Sequence, residues 1–181
     1  MRPIRRLAVG LASVGVLSVG MALPAAALPT GSLINGGDRS LCLGIQNSGV
    51  GSDNAVLGGC SRSPTQTWRV RATTVVGTWF GYQFENGANQ CLGVTGGSTA
   101  SGARVVQGPC GAVSDHSQIW RPAQHVQPMI VGYHTDPGPG PYWLVNGHSG
   151  LCLGVTTGGT TVIQGTCNTS SVTQAWVIGS P

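Results

Sequence analysis

Leu151-Cys152-Leu153-Gly154-Val155, then Val162-Ile163-Gln164-Gly165-Thr166-Cys167, then Gln174-Ala175-Trp176, decides how this chain folds, because the pattern occurs three times. The second copy reads Gln90-Cys91-Leu92-Gly93-Val94, Val105-Val106-Gln107-Gly108-Pro109-Cys110 and Gln118-Ile119-Trp120. The first reads Leu41-Cys42-Leu43-Gly44-Ile45, Val56-Leu57-Gly58-Gly59-Cys60 and Gln66-Thr67-Trp68. An Asn-Gly pair precedes each copy, at 35–36, 86–87 and 146–147. The three Trp residues lie 52 and 56 positions apart. Repetition at such a period marks a fold built from copies that share one core, because a single copy cannot bury its own apolar face.

Each copy reads as four short strands. The first ends at Asn-Gly, a hairpin-turn signal, and Tyr142-Trp143-Leu144-Val145 is its clearest example. The second surrounds Cys-Leu-Gly-Val. The third is the Val-rich run before the second Cys, and the fourth carries Gln-x-Trp. Short β-branched runs separated by Gly, Ser, Thr and Asn point to an all-β barrel or sandwich. No stretch after residue 27 keeps a capped 3.6-residue apolar period, so essentially no helix is expected. Three four-stranded units predict threefold closure, with strand pairs forming a short barrel and three hairpins capping one end. Closure also removes exposed sheet edges.

The six Cys residues all lie after residue 27. Six allow about 15 connectivities, and matching positions in the repeat select Cys42–Cys60, Cys91–Cys110 and Cys152–Cys167. No Cys-x-x-Cys or His-rich pair supports a metal site, and no cofactor is expected.

The start of the chain has the three parts of a signal peptide. Arg2, Arg5 and Arg6 precede an uncharged apolar run, Leu7 to Leu23, and Ala25-Ala26-Ala27 ends in the small-residue pattern that a signal peptidase reads. Residues 1–27 are therefore read as a cleaved leader and 28–181 as one exported domain, with repeats at about 31–71, 80–122 and 141–178. The competing reading is an uncleaved anchor, for which a run of 17 residues is at the bottom of the spanning range. Arg5-Arg6 raises the twin-arginine route, but Leu-Ala-Val follows rather than a bulky apolar pair. Past residue 27 there is no Lys, and six Arg face five acids, a net charge of +1. No Arg run remains to neutralise phosphates, so nucleic acid is excluded as a partner. A mature form embedded in the membrane is not expected, and the predicted location is extracellular. Oligomeric state is not legible.

These repeats resemble the ricin B-type lectin family of β-trefoils, on Tyr142-Trp143-Leu144-Val145-Asn146, Cys152-Leu153-Gly154-Val155, the paired Cys167 and Gln174-Ala175-Trp176, with all three units matching over roughly residues 31 to 178. The resemblance implies a β-trefoil of three four-stranded repeats, each disulfide-stapled. It also implies sugar binding in a shallow pocket of each unit. Such a pocket needs a carboxylate after Cys-Leu, an aromatic ring two residues before the second Cys, and an amide just before Gln-x-Trp. Those positions hold Gly44, Gly93 and Gly154; Gly58, Gly108 and Gly165; and Thr65, Ser117 and Thr173. The scaffold matches, and the usual galactose-type residues are absent.

Trp68, Trp120 and Trp176 are then expected in the core, with Gln66, Gln118 and Gln174 satisfying turn backbone. The candidate ligand residues lie elsewhere. Trp143, opposite an inward Leu144, is either an exposed stacking ring or packed beneath the loop before it. Gln107 and Gln164 on third strands, with Asp115, His116 and Asn168 after second Cys residues, are the polar groups nearest the degenerate pockets. Trp79 and Phe80 read as strand packing. The connection from Arg121 to Pro141 carries His125, His134 and Asp136 and ends in a Pro-Gly spacer. Catalysis is disfavoured: Asp115-His116-Ser117 holds triad residue types side by side, where they cannot form a relay. The expected function is a secreted, non-catalytic module that binds carbohydrate or polysaccharide. The alternative is a trefoil that binds protein through its loops, such as a protease inhibitor.

Overall fold

The computed structural model describes residues 30–47, 53–124 and 141–179. They form twelve strands in three sets of four. The first unit contains β1 (Ser32–Asn35), β2 (Leu41–Ile45), β3 (Ala55–Gly59) and β4 (Trp68–Val76). The second contains β5 (Trp79–Asn86), β6 (Gln90–Val94), β7 (Val105–Pro109) and β8 (Ile119–Gln124). The third contains β9 (Tyr142–Asn146), β10 (Cys152–Val155), β11 (Val162–Gly165) and β12 (Trp176–Gly179). Only three 3-10 turns interrupt the strands among the described residues.

The fold is a β-trefoil. First and fourth strands build the barrel, and second and third strands form the hairpins β2–β3, β6–β7 and β10–β11. Equivalent pairs hold each unit together: Gly31 with Trp68, Tyr82 with Trp120, and Tyr142 with Trp176. Antiparallel pairings β4–β5, β8–β9 and β12–β1 join one unit to the next.

Alternation puts one face of every strand into a single core. Leu33, Phe84 and Leu144 come from the first strands, Leu43, Leu92 and Leu153 from the second, and Ala55, Val105 and Val162 from the third. The three Gln-x-Trp tryptophans close the set, each almost fully buried. Each indole N–H donates to the carbonyl of its own unit's core Leu: Trp68 to Leu43 at 3.0 Å, Trp120 to Leu92 at 2.9 Å, Trp176 to Leu153 at 3.0 Å. The ring thus fills the core while its one polar atom is satisfied, the condition for burying Trp at low cost. The three disulfides join Cys42 to Cys60, Cys91 to Cys110 and Cys152 to Cys167. Each staples a second strand to the end of a third.

The Asn-Gly pairs differ from the two-residue hairpin turns that the sequence suggests. Their glycines do not adopt positive φ. The Asn side chain is buried instead and accepts from backbone N–H groups of the turn: Asn35 from Gly37, Asn86 from Ala88, Asn146 from His148. The Gly is required by close approach. A Cβ on Gly36 would lie 2.6 Å from Ala175 Cβ, and one on Gly87 2.9 Å from Pro64 Cα. A two-residue hairpin does join β4 to β5, where Val76 pairs with Trp79 and Gly77 takes φ +61.

Candidate functional site

Each Gln of Gln-x-Trp bridges the end of its third strand to the residue that follows the second Cys. Gln66 accepts from Ser61 N at 2.7 Å and donates to Gly59 O at 3.1 Å. Gln118 accepts from Gly111 N at 2.8 Å and donates to Pro109 O at 2.9 Å. Gln174 accepts from Asn168 N at 2.8 Å and donates to Thr166 O at 2.9 Å. These are the turn contacts expected of a framework amide, made three times.

The same Gln stems explain the glycines at the missing-carboxylate position. A Cβ on Gly44, Gly93 or Gly154 would sit 2.7, 2.8 and 2.8 Å from Cγ of Gln66, Gln118 and Gln174. The glycines at the missing-aromatic position are different. A Cβ on Gly108 meets nothing within 4 Å, and those on Gly58 and Gly165 meet only an amide nitrogen or a hydroxyl at 3.4 Å or more. One half of the usual sugar pocket is closed by packing, and the other is simply empty of side chain.

The sequence-chosen candidates separate into two groups. Gln107 and Gln164 are not at the pockets' surface; both are fully buried. Gln107 Oε1 accepts from Asn86 Nδ2 at 2.8 Å. Gln164 Nε2 donates to Ser98 O at 2.7 Å and Ala100 O at 3.0 Å, while its Oε1 accepts from Ser149 at 2.8 Å. A position that is apolar Leu57 in the first unit is a hydrogen-bonded core amide in the other two. Trp143 is also not an exposed ring. Leu144 does point inward, but Trp143 is half-buried against Ala123, Val145 and the Cys152–Cys167 bridge. The loop before Trp143, beneath which the packed alternative places the ring, lies outside the described residues.

Asp115 and Asn168 are exposed, and His116 is half-buried. Asp115 caps the turn His116–Gln118 by accepting from Ser117 N at 3.1 Å. Asn168 accepts from Ser170 N at 2.9 Å. They belong to different units, and no hydrogen bond joins them. His125, His134 and Asp136 lie outside the described residues, as does the leader.

Sequence reasoning missed the junction residues. Arg121 places its guanidinium carbon 5.0 Å from the centroid of Trp79, a cation–π contact. Burial lowers the pKa of Arg121 from its ordinary value. Phe80, expected to pack, is 64% exposed beside Val75, its cross-strand partner, which is 57% exposed. On the neighbouring edge, Glu85 is nearly buried and holds Arg69 at 2.9 Å and Arg71 at 4.0 Å. The recurrence of Arg after the framework Trp in two units, and Val177 in the third, is the sequence signal for these junctions. No cluster of His, Cys, Asp or Glu among the described residues could hold a metal. No helix among them is long and apolar enough to cross a membrane.

This geometry defines a β-trefoil. Among solved structures, the designed three-fold symmetric protein ThreeFoil aligns with TM-score 0.67 at 24% identity, over 84% of this chain and 99% of that one. An exo-beta-1,3-galactanase from Clostridium thermocellum aligns with TM-score 0.65 at 19% identity, over 88% of this chain and 31% of that one. A Polyporus squamosus lectin, solved with a human-type influenza-binding epitope, aligns with TM-score 0.62 at 12% identity, over 84% of this chain and 49% of that one. This chain thus spans about a third of the galactanase and half of the lectin. No protein-family model and no curated protein matches the sequence.

Proposed function

We propose that this protein is a secreted, non-catalytic carbohydrate-binding module of the ricin B lectin type, whose sugar contacts lie away from the family's usual positions. The observation that carries the reading is the threefold repetition of the whole frame, disulfide, Gln amide and buried Trp, with its clefts left open at Gly58, Gly108 and Gly165. Neighbours of the same fold include a lectin solved with a glycan epitope. Three disulfides accord with an oxidising, extracellular location. The described acids lend catalysis no support: Glu85 is committed to two arginines, Asp38 and Asp115 are exposed on separate turns, and Asp53 is half-buried on a third segment.

A glycan array probed with residues 28–181 tests the proposal. Retention of polysaccharide or oligosaccharide by the folded protein is expected. A blank array from protein with an intact melt would refute it. One observation favours a second reading, protein binding: Val75 and Phe80 form an exposed apolar pair on the β4–β5 ribbon. Inhibition of a protease with a blank array would select that reading.

A further inference from the structure

The pseudo-threefold axis relates three junctions between units, and two of them share the same parts. At each, the N–H of the Asn-Gly glycine reaches back to the residue before the framework Trp: Gly87 to Thr67 at 3.1 Å, Gly147 to Ile119 at 2.7 Å, Gly36 to Ala175 at 2.7 Å. The residue after that Trp is Arg69, Arg121 or Val177. At the second junction a flat ring fills the corner. Trp79 lies under the Arg121 guanidinium, and its Cη2 comes within 3.3 Å of where a Gly147 Cβ would be. At the first junction the equivalent pair, Arg69 and Gly87, borders a cavity of about 260 Å³ lined, among the described residues, by Thr30, Thr67, Arg69, Asn86, Gly87 and Asn89.

We propose that this cavity is a carbohydrate site that takes one pyranose ring against Arg69 and Gly87, as Trp79 lies against Arg121 and Gly147 one junction further on. The inference rests on the carbohydrate-binding reading above. The volume falls just below the range of about 300–1,000 Å³ usual for drug-sized ligands, which suits one ring. The lining decides between a sugar and an aromatic side chain. Five of its six residues carry a hydroxyl, amide or guanidinium, and the sixth is Gly. The Arg69 Nε and Nη2 groups are engaged by Glu85, and Nη2 also donates to Asn89 Oδ1 at 3.3 Å. Nη1 keeps two N–H donors for a ligand. Thr67 Oγ1 donates to Ser63 O at 3.0 Å and keeps its lone pairs as acceptors. Asn89 keeps its amide donors. Sugar hydroxyls both donate and accept and can answer all three groups; an aromatic ring would desolvate them and leave them unpaired. The site is preorganised: the nearly buried Glu85 carboxylate fixes Arg69, and the positive φ of Asn89, 59°, holds that residue at the rim.

The test is a titration of the backbone and arginine side-chain NMR spectrum with four probes: methyl β-galactopyranoside, methyl β-glucopyranoside, methyl α-mannopyranoside and N-acetylglucosamine. The amides of Gly87, Ala88 and Asn89 and the Nε–H of Arg69 are expected to shift with at least one probe. Asn89→Gly, which suits the positive φ, is expected to weaken that binding about fivefold, as loss of one hydrogen-bonding group predicts. Arg69→Lys keeps a charge for Glu85 but removes the planar fork, and is expected to weaken it about tenfold. Saturable shifts confined to other residues, or unchanged affinity in both folded variants, would overturn the site and leave the carbohydrate reading standing. No shift with any probe and a blank glycan array would overturn both.

Discussion

Gly93→Ala should be far more costly than Gly108→Ala, although both glycines sit in the same β6–β7 hairpin. The new methyl at residue 93 would lie 2.8 Å from Gln118 Cγ, the stem of that side chain rather than its mobile end. Gln118 has little room to yield. Its Oε1 accepts from Gly111 N at 2.8 Å and Gln83 Nε2 at 3.1 Å, and its Nε2 donates to Pro109 O at 2.9 Å. Overpacking costs about 1–3 kcal/mol, and each hydrogen bond lost adds about 1 kcal/mol. A total of about 2–4 kcal/mol follows if one bond breaks. For a chain of this size each kcal/mol lowers Tm by about 2–4 °C, so Gly93→Ala should melt about 4–16 °C early. Gly108 is itself buried, but its added methyl would meet no neighbour within 4 Å, so Gly108→Ala neither overpacks nor breaks a contact and should stay within about 0.5 kcal/mol of the parent. Thermal melts followed by circular dichroism read both. Coupling gives a sharper test: in a Gln118→Ala background the cost of Gly93→Ala should largely disappear. A Gly93→Ala protein that melts with the parent, or costs that simply add in the double variant, would refute the packing explanation for the missing carboxylate.

Three further outcomes follow from the frame. Peptide mapping without reductant should recover only the three bridges within units, and a Cys60–Cys91 peptide would contradict the repeat topology. Trp120→Ala should cost about 3–5 kcal/mol, the range for deleting a large buried aromatic, read as a loss in denaturation midpoint at constant slope. Trp143→Ala should cost about 1–3 kcal/mol, less because the ring is half-buried, and should leave glycan retention on the array unchanged; loss of glycan binding with an intact melt would restore Trp143 as a contact residue.

Strand placement and disulfide pairing were legible because three imperfect copies average out local ambiguity. A run such as Val105-Val106-Gln107 is a weak strand signal alone, but it is strong when Val162-Ile163-Gln164 repeats it at the same distance from a Cys. Turn geometry was not legible from Asn-Gly, because the same dipeptide serves a two-residue hairpin or a buried Asx turn, and only the neighbouring unit's backbone against Gly36 and Gly87 decides. The core placement of Gln107 and Gln164 was written in their alignment with Leu57. It was hidden by polarity, since burying an amide depends on partners such as Asn86 and Ser98 that no local pattern reveals. The junctions were out of reach for a related reason. Arg121 over Trp79 joins residues 42 positions apart, and nothing in either stretch names the other.

The side-chain contacts Gln66 to Gly59 and Trp68 to Leu43 repeat in all three units and stay inside one unit, whereas Gln164 reaches out of its own unit to the loop of the second. Gln164→Leu tests what such a departure contributes, because Leu57 shows that the fold accepts Leu at this position. The variant loses three hydrogen bonds, to Ser98 O, Ala100 O and Ser149 Oγ, about 3 kcal/mol at the usual net value. It gains a fully buried Leu, which offsets about 1.5–2 kcal/mol. Ala100 is exposed and Ser98 half-exposed, so water can reach the released carbonyls and no orphan penalty is added. The net cost should be only about 1–2 kcal/mol. The larger effect should be local. The loop after β6 is also tied by the backbone bonds of Gly102 N to Gln164 O and Gln164 N to Ala103 O, and without the amide those bonds should open more often. Hydrogen exchange at Gly102 and Gln164 should therefore accelerate by more than the global stability change accounts for, while exchange at Leu43 and Leu92 in the core follows the global change alone. Uniform acceleration at all four amides would mean that Gln164 is simply a core residue that happens to be polar. Selective acceleration would identify it as the clamp between the second and third units.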